Sequence, residues 1–191
     1  MSQSAAAALQ LKCDPLGTFA ESTMIIAAVV ASVLLTRLGP CDTLPAGVKT
    51  ELARLWPTAR LPDPKQADST WRLNARQDLA TDGQPYCITG DFAGNGRRDY
   101  VLILEDSALL RLVAVHRMAS GYRGHQMDTL ETRALPAFSI FRAGPGLHQD
   151  MYGDKAPLRS RHDAIEVVYD ESSSWTMVWD GSRYRTFWTS D

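Results

Sequence analysis

The sequence predicts an α+β fold, mainly an antiparallel β-sheet of hairpins and meanders with a short N-terminal helix packed on it. Apolar and polar residues alternate over most of the chain after residue 85, which is the period of a half-buried strand. An Asp-Gly pair at 180–181 separates two such segments, and this pair is typical of a hairpin turn. One segment near residue 50 has helical periodicity instead.

The helix is predicted from Leu44 to Trp56. Its apolar side chains form one stripe, which consists of Val48, Leu52, Leu55 and Trp56. Pro45 suits the first turn of a helix, and Pro57 removes the preceding residue from helical backbone conformation. The side chains expected on the water-facing side are Lys49, Glu51 and Arg54. The apolar stripe therefore needs a sheet to pack on.

Seven strands are predicted after the helix. They span residues 86–90, 100–104, 109–116, 138–141, 164–169, 175–179 and 183–188. A turn region is expected at 121–124 and a long excursion over the surface at 144–161, since both segments are rich in glycine or proline. No repeat at solenoid or propeller spacing is visible, so we expect the strands to form a single sheet.

The last two strands predict a hairpin with one aromatic-rich surface. Alternation places three side chains on the same face of each strand: Trp175, Met177 and Trp179 on one, Tyr184, Thr186 and Trp188 on the other. We expect this surface to cover the core. The alternative is an exposed platform on which a ligand stacks.

Length, charge and composition limit the class of protein. The chain has 191 residues, which leaves room for one domain and a leader. Its 20 basic and 22 acidic residues leave a net charge of −2, so no excess of cations is present to neutralise phosphates, and we predict no nucleic-acid partner. The 45% of hydrophobic residues is typical of a globular protein.

The first 42 residues are interpreted as a leader and arm, and residues 43–191 as a single β-rich domain. Residues 24–35 are apolar and uncharged, too short for a membrane span of about 20 residues but typical of the apolar part of a secretory signal. We therefore predict a periplasmic or otherwise extracytoplasmic protein, cleaved or anchored, that contacts a membrane only through this N-terminal segment. A buried helix of a cytosolic protein and a disordered extension are the alternatives.

The three cysteines, Cys13, Cys41 and Cys87, form no CxxC pair. If the leader is removed after Cys41, Cys87 remains alone as a small buried hydrophobe. If Cys41 survives export, a Cys41–Cys87 disulfide can tie the arm to the sheet. Cys41 also follows a Leu-Gly-Pro sequence that vaguely resembles the lipid-attachment box of bacterial lipoproteins. The sequence leaves these alternatives open.

The residues between the first two strands predict an oxygen-rich loop. Asp91, Asn95 and Asp99 occupy loop positions 1, 5 and 9, with Gly96 at position 6 for a sharp turn. This spacing can bring oxygens together on Ca²⁺, with the main-chain carbonyl of Arg97 at position 7. Position 3 is an alanine and lacks an oxygen, so affinity should be weak. In the alternative, an arginine of the loop pairs with the carboxylates in place of the ion.

The loop and its following strand, GDFAGNGRRDYVLIL, resemble the calcium-binding unit of bacterial VCBS/FG-GAP-type proteins. The closing segment, HDAIEVVYDESSSWTMVWDGSRYRTFWTSD, is similar to the end of small exported bacterial proteins with one such loop. The resemblance implies that Asp91, Asn95 and Asp99 are side-chain ligands of calcium and that Arg97 contributes its carbonyl. Propellers of that family need several units, whereas this chain has one, so we do not expect a propeller.

No sequence motif indicates catalysis. The chain lacks the GxSxG, HExxH, Walker and GxGxxG patterns. The histidines, His116, His125, His148 and His162, are scattered, and His116 is interpreted as the polar end of a strand. We predict a non-enzymatic exported domain that binds a macromolecule, an unknown protein or envelope component, with an inhibitor- or immunity-like role as one form. The alternatives are an envelope-polymer hydrolase using carboxylates of residues 144–161, with a structural ion site, and a metal-free surface domain.

Overall fold

The computed structural model describes residues 41–67, 84–169 and 173–190, and the predicted leader segment at 24–35 lies outside them. Helix α1 spans Ala46–Leu55, and short 3-10 turns lie at Pro64–Gln66 and Thr132–Ala137. The strands are β1 Cys87–Gly90, β2 Asp99–Asp106, β3 Leu109–Met118, β4 Gly121–Glu131, β5 Phe138–Ala143, β6 Leu147–His148, β7 Leu158–Arg159, β8 Ala164–Tyr169, β9 Ser173–Trp179 and β10 Tyr184–Ser190. Within the described residues, no helix has the length and apolar character needed to cross a membrane.

The fold is mainly antiparallel β-sheet with a short helix, as predicted, but the strands form more than one sheet. One four-stranded sheet has the order β1-β2-β3-β4, a second has the order β10-β9-β8-β5, and β6 pairs with β7. The prediction of a single sheet is therefore wrong. Alternation with a period of two shows which side chains share a face of a strand, but it does not show which strands join the same sheet.

The two larger sheets share one buried hydrophobic cluster. Val101 and Ile103 of β2 belong to it, together with Ile165 of β8 and Met177 of β9. The sheets therefore pack face to face, and burial of apolar surface between them is a major source of stability.

The other face of the first sheet is covered by α1. Leu102 and Leu104, which alternate with the intersheet residues of β2, lie in a second cluster with Leu44 and Val48. Strand β2 is thus buried on both faces. This explains why residues 100–104 form an uninterrupted apolar run rather than an alternating one.

Glu51 of α1 is buried, so the prediction that it faces water is wrong. Its Oε1 accepts the backbone N–H of Gly124 in β4 at 2.8 Å, and its two oxygens accept the Arg54 guanidinium at 2.8 and 2.9 Å. The hydrogen bond from Arg54 is the main cause that lowers the pKa of Glu51 below its usual value. A buried carboxylate is tolerated when its oxygens are hydrogen-bonded. Glu51 therefore joins the helix to the edge of the sheet.

The turn expected at 121–124 is instead the beginning of β4. The chain reverses at Ala119 and Ser120, so that Met118 pairs with Gly121. At Gly124, a Cβ atom would lie 2.5 Å from Cδ1 of Leu55 in the helix. Glycine within a strand often marks such a close approach of another segment, and here it lets the helix lie against β4.

Cys41 and Cys87 form a disulfide bond that joins the segment before α1 to β1. Both side chains are buried in the cluster beneath the helix. Of the alternatives left open by the sequence, the structure has the disulfide, and a sulfur in a disulfide does not carry a lipid thioether. Cys13 lies outside the described residues.

The C-terminal hairpin has the predicted faces. Trp179 pairs with Tyr184 and Trp175 with Trp188 across β9 and β10. Trp175 is buried in the intersheet core, which confirms that part of this aromatic surface covers the core. Trp179 and Tyr184, at the turn end of the hairpin, are only half-buried.

Residues 144–161 lie against the outer face of the second sheet. Leu158 packs there with the buried Phe187 of β10. Oδ1 of Asp150 accepts the backbone N–H of Trp188 at 2.9 Å. The expected surface excursion is therefore attached to the sheet by apolar packing and by a hydrogen bond.

Candidate functional site: the 90–99 loop and the concave surfaces beside it

The carboxylate of Asp91 closes the loop between β1 and β2. Its Oδ1 accepts the backbone N–H of Asn95 and its Oδ2 that of Gly96, both at 2.9 Å. The N–H of Asp91 itself donates to Oδ2 of Asp163 at 2.9 Å. Gly94 and Gly96 have φ values of +71° and +72°, a conformation that favours glycine. The loop is therefore held by bonds within the chain.

Asp99 is the buried end of the loop. Its Oδ2 accepts the backbone N–H of Ala93 at 2.8 Å, and its Oδ1 accepts the N–H of Arg117 in β3 at 2.7 Å. Burial raises the pKa of Asp99 to about 6, although these hydrogen bonds oppose the shift. At neutral pH the group is mainly a carboxylate, and it attaches the loop to β3.

The side chain of Asn95 also connects the loop to β3. Its Nδ2 donates to the carbonyl of Arg117 at 3.1 Å, and its Oδ1 accepts the N–H of Arg97 at 3.0 Å. Arg97 and Arg98 are exposed, and neither forms an ion pair within the described residues. The alternative in which an arginine replaces the ion is therefore wrong, because backbone N–H groups already satisfy the loop carboxylates.

The structure brings Asp91, Asn95, Arg97 and Asp99 into one loop but directs their side-chain oxygens at the backbone. Each carboxylate oxygen of Asp91 and Asp99, and the amide oxygen of Asn95, accepts a backbone N–H. In the described parts of the chain, no group of three or more His, Cys, Asp or Glu side chains is placed to hold a metal ion. Ca²⁺ takes about six to eight oxygens. Calcium binding by Asp91, Asn95, Asp99 and the carbonyl of Arg97 stays a prediction of the sequence.

We expect millimolar Ca²⁺ and excess EDTA to give the same thermal midpoint, because the loop oxygens are engaged in hydrogen bonds. Calorimetric titration of the wild type with Ca²⁺, beside Asp91→Ala, measures this directly. A binding heat present in the wild type and absent from the variant would contradict this expectation and would show that Asp91 takes part in binding an ion.

Gly90 is where the loop leaves β1, and it has no room for a side chain. An added Cβ would lie 2.7 Å from Oδ2 of Asp163, 2.9 Å from Cζ of Phe92 and 3.1 Å from Cδ of Arg142. We expect Gly90→Ala to lower the free energy of unfolding by about 2 kcal/mol through overpacking.

Urea unfolding of Gly90→Ala measures this change, with Gly144→Ala as the matched control. A Cβ at Gly144 meets nothing within 4 Å. The control should therefore shift stability by less than about 0.5 kcal/mol. Equal effects of the two substitutions would contradict the packing argument.

An arginine-lined groove lies beside the loop. It has a volume of about 780 Å³, and its lining includes Arg97, Arg98 and Arg117 with the rings of Tyr100 and Tyr122. The Arg117 guanidinium carbon is 4.6 Å from the centroid of the Tyr122 ring, a cation–π contact that favours this position of the charge. The groove is positively charged although the chain as a whole has a net charge of −2.

Residues of both large sheets meet at a second concave surface, which also includes part of the loop. The ring centroids of His116 and His125 are 4.6 Å apart, and that of Trp179 lies 4.9 and 5.0 Å from them. With Asn95 these side chains line a pocket of about 420 Å³. Strand register explains the pair of histidines, since His125 pairs with Ala114, two residues before His116. The sequence pattern did not predict this cluster, because residues 121–124, where β4 begins, were expected to form a turn.

His116 lies inside the molecule, so the interpretation of this residue as the polar end of a strand is wrong. It is 2% exposed, and its Nε2 lies 2.7 Å from the hydroxyl oxygen of Tyr184. Burial lowers the pKa of His116 to about 4 and lowers that of His125 as well. At neutral pH the pocket therefore presents two uncharged imidazoles.

Comparison with protein-family models, curated proteins and solved structures finds no match to this chain. The resemblance to VCBS/FG-GAP-type proteins therefore remains a resemblance of the loop and the closing segment.

Proposed function

We propose that this chain is a non-enzymatic extracytoplasmic domain that binds an acidic partner, a protein or an envelope component, through the arginine-lined groove. The observation that carries the proposal is the clustering of Arg97, Arg98 and Arg117 without ion pairs among the described residues. Elsewhere in the fold, Arg54, Arg60 and Arg111 do pair with carboxylates.

Clustered like charges repel one another, and the repulsion is relieved when an anion binds between them. Guanidinium groups are suited to this role because their planar array of donors matches a carboxylate or phosphate. The surrounding structure supports such binding. The backbone of the loop that bears Arg97 and Arg98 is held by Asp91, Asn95 and Asp99, so little conformational entropy is lost there when a partner binds.

The extracytoplasmic location is supported by the Cys41–Cys87 disulfide. Structural disulfides persist in oxidising compartments and are rare in the cytosol. The predicted leader agrees with this location, although it lies outside the described residues.

One carboxylate that the hydrolase alternative could use is already engaged in the fold. That alternative places catalytic carboxylates in residues 144–161. Asp150, the buried carboxylate of this segment, accepts the N–H of Trp188 and lies 4.0 Å from Lys155. These contacts give Asp150 a role in packing.

The test is retention on immobilised polyglutamate and polygalacturonate, eluted with salt. We expect Arg97→Ala/Arg98→Ala to weaken binding by about tenfold or more, because charge-assisted hydrogen bonds are lost. The matched control, Arg60→Ala/Arg133→Ala, removes the same charge from side chains that are 79% and 84% exposed and paired with glutamates. Equal loss in both double variants would show that only net charge matters and would overturn the proposal.

A further inference from the structure

We propose that the two pockets on either side of Trp179 bind neighbouring sugar units of a carboxylated oligosaccharide, such as a short hexuronate chain. This inference rests on the proposed function, since it names the chemistry of the acidic partner. It adds a site that is separate from the arginine-lined groove and that contacts the sugar rings themselves.

The two pockets have a common wall. The first, of about 420 Å³, and the second, of about 400 Å³, are both lined by Ala93, Trp179 and Gly181. Each volume is in the range of small-molecule pockets. A ligand of two linked rings that passes over Ala93 and Gly181 therefore contacts the indole in both pockets.

Trp179 is held in place before any ligand binds. Its ring centroid is 4.9 Å from that of His116, 5.0 Å from that of His125 and 5.2 Å from that of Tyr184. The residue is nevertheless partly exposed. An indole face is apolar and carries negative potential, so it accepts the C–H groups on one face of a pyranose ring.

The polar lining of the first pocket is suited to hydroxyl groups. Asn95 and Ser182 lie there with His116 and His125, whose lowered pKa values keep both imidazoles uncharged at neutral pH. Amide, hydroxyl and neutral imidazole groups each donate and accept hydrogen bonds. A sugar hydroxyl has the same dual character and can meet the imidazole of His125, whereas Asn95, Ser182 and His116 already hydrogen-bond to Arg117, Asp180 and Tyr184.

Each pocket also has cationic side chains. Arg123 lines the first, and Arg159 and Arg161 line the second. All three are exposed, and none forms an ion pair within the described part of the chain. Asp180 also lines the second pocket, but its Oδ1 accepts the N–H groups of Ser182 and Arg183 and is used by the hairpin turn. Arginines on both sides of the Trp179 indole match an oligosaccharide that has a carboxylate on every sugar ring.

The test is titration of the full chain with tetragalacturonic acid, followed by calorimetry and by tryptophan fluorescence. Two comparison ligands separate the contributions. Cellotetraose has the sugar rings but no carboxylates, and tetraglutamate has the carboxylates but no sugar rings. We expect tetragalacturonate to bind at least about tenfold more tightly than either, because only it satisfies both the indole and the arginines.

Two sets of variants locate the site. Arg123→Ala/Arg161→Ala should weaken tetragalacturonate binding by about tenfold or more without affecting folding, since both side chains are exposed. Trp179→Leu should weaken it similarly and remove the fluorescence change, with circular dichroism as the check on folding. Arg60→Ala/Arg133→Ala is the matched control and should leave affinity unchanged.

Equal binding of tetraglutamate, or unchanged affinity in Arg123→Ala/Arg161→Ala, would overturn the inference. If tetragalacturonate does not bind while Arg97→Ala/Arg98→Ala still weakens retention on polyanions, the inference fails and the proposed function stands. If retention is unaffected by Arg97→Ala/Arg98→Ala, the proposed function fails by its own test.

Discussion

Replacing Cys41 and Cys87 together by alanine is expected to lower the free energy of unfolding by about 4 kcal/mol. The disulfide closes a loop with a sequence separation of 46 residues, and the loss of loop-closure entropy in the unfolded chain gives this magnitude. The effect should be large because the disulfide joins the segment before α1 to β1, and both of its cysteines are buried in the hydrophobic cluster under the helix.

Urea unfolding of wild type and Cys41→Ala/Cys87→Ala, each with and without dithiothreitol, measures this contribution. Reductant should destabilise the wild type and leave the double variant unchanged. Cys13→Ala is the matched control, because it removes a cysteine without removing the disulfide. Equal stability of oxidised and reduced wild type would contradict the expectation.

Asp99→Ala is expected to lower the free energy of unfolding by about 3 kcal/mol. Among the substitutions considered, only removal of the disulfide is expected to have a larger effect. The substitution removes both acceptors for the backbone N–H groups of Ala93 and Arg117 in a fully buried position. An unsatisfied buried donor is unfavourable by about 1–3 kcal/mol. Asp91→Ala is the matched control, with an expected effect near 1 kcal/mol, because water reaches the exposed N–H groups of Asn95 and Gly96.

The pH dependence of the Asp99 variant has a definite sign. Burial raises the pKa of Asp99 from 3.8 to about 6, so between these pH values the folded protein holds a proton that the unfolded chain has released. The contribution of Asp99 to stability therefore falls as pH rises through this window. The difference between wild type and Asp99→Ala should be larger at pH 4 than at pH 7, as measured by urea unfolding. A difference that grows with pH would contradict this assignment.

Local sequence patterns predicted the elements near the site well. Alternation placed Trp175, Met177 and Trp179 on one face of a strand, and the Asp-Gly pair at 180–181 predicted the turn that follows them. Spacing also placed Asp91, Asn95 and Asp99 in one loop between two strands, which the structure has, while their role as calcium ligands stays a prediction. These predictions succeed because they depend on contacts between residues close in sequence or on a repeat along one strand.

The predictions that failed depend on contacts between distant segments. The helical pattern places Glu51 on the polar face of α1. In the structure Glu51 is buried, because the backbone N–H of Gly124 in β4 donates a hydrogen bond to its carboxylate. His116 is buried because Tyr184 and Trp179 arrive from the other sheet. No local sequence pattern shows which distant residues will contact Glu51 or His116.

The amino-acid sequence by itself determined that this protein is mainly antiparallel β-structure with one short helix and an Asp- and Asn-rich loop. Only the tertiary structure decided that the strands divide into two facing sheets, that Cys41 pairs with Cys87, and that the loop oxygens bind backbone N–H groups. The physical reason is that periodicity shows which side chains share a face of an element, whereas the choice of partner for that face is made by long-range packing.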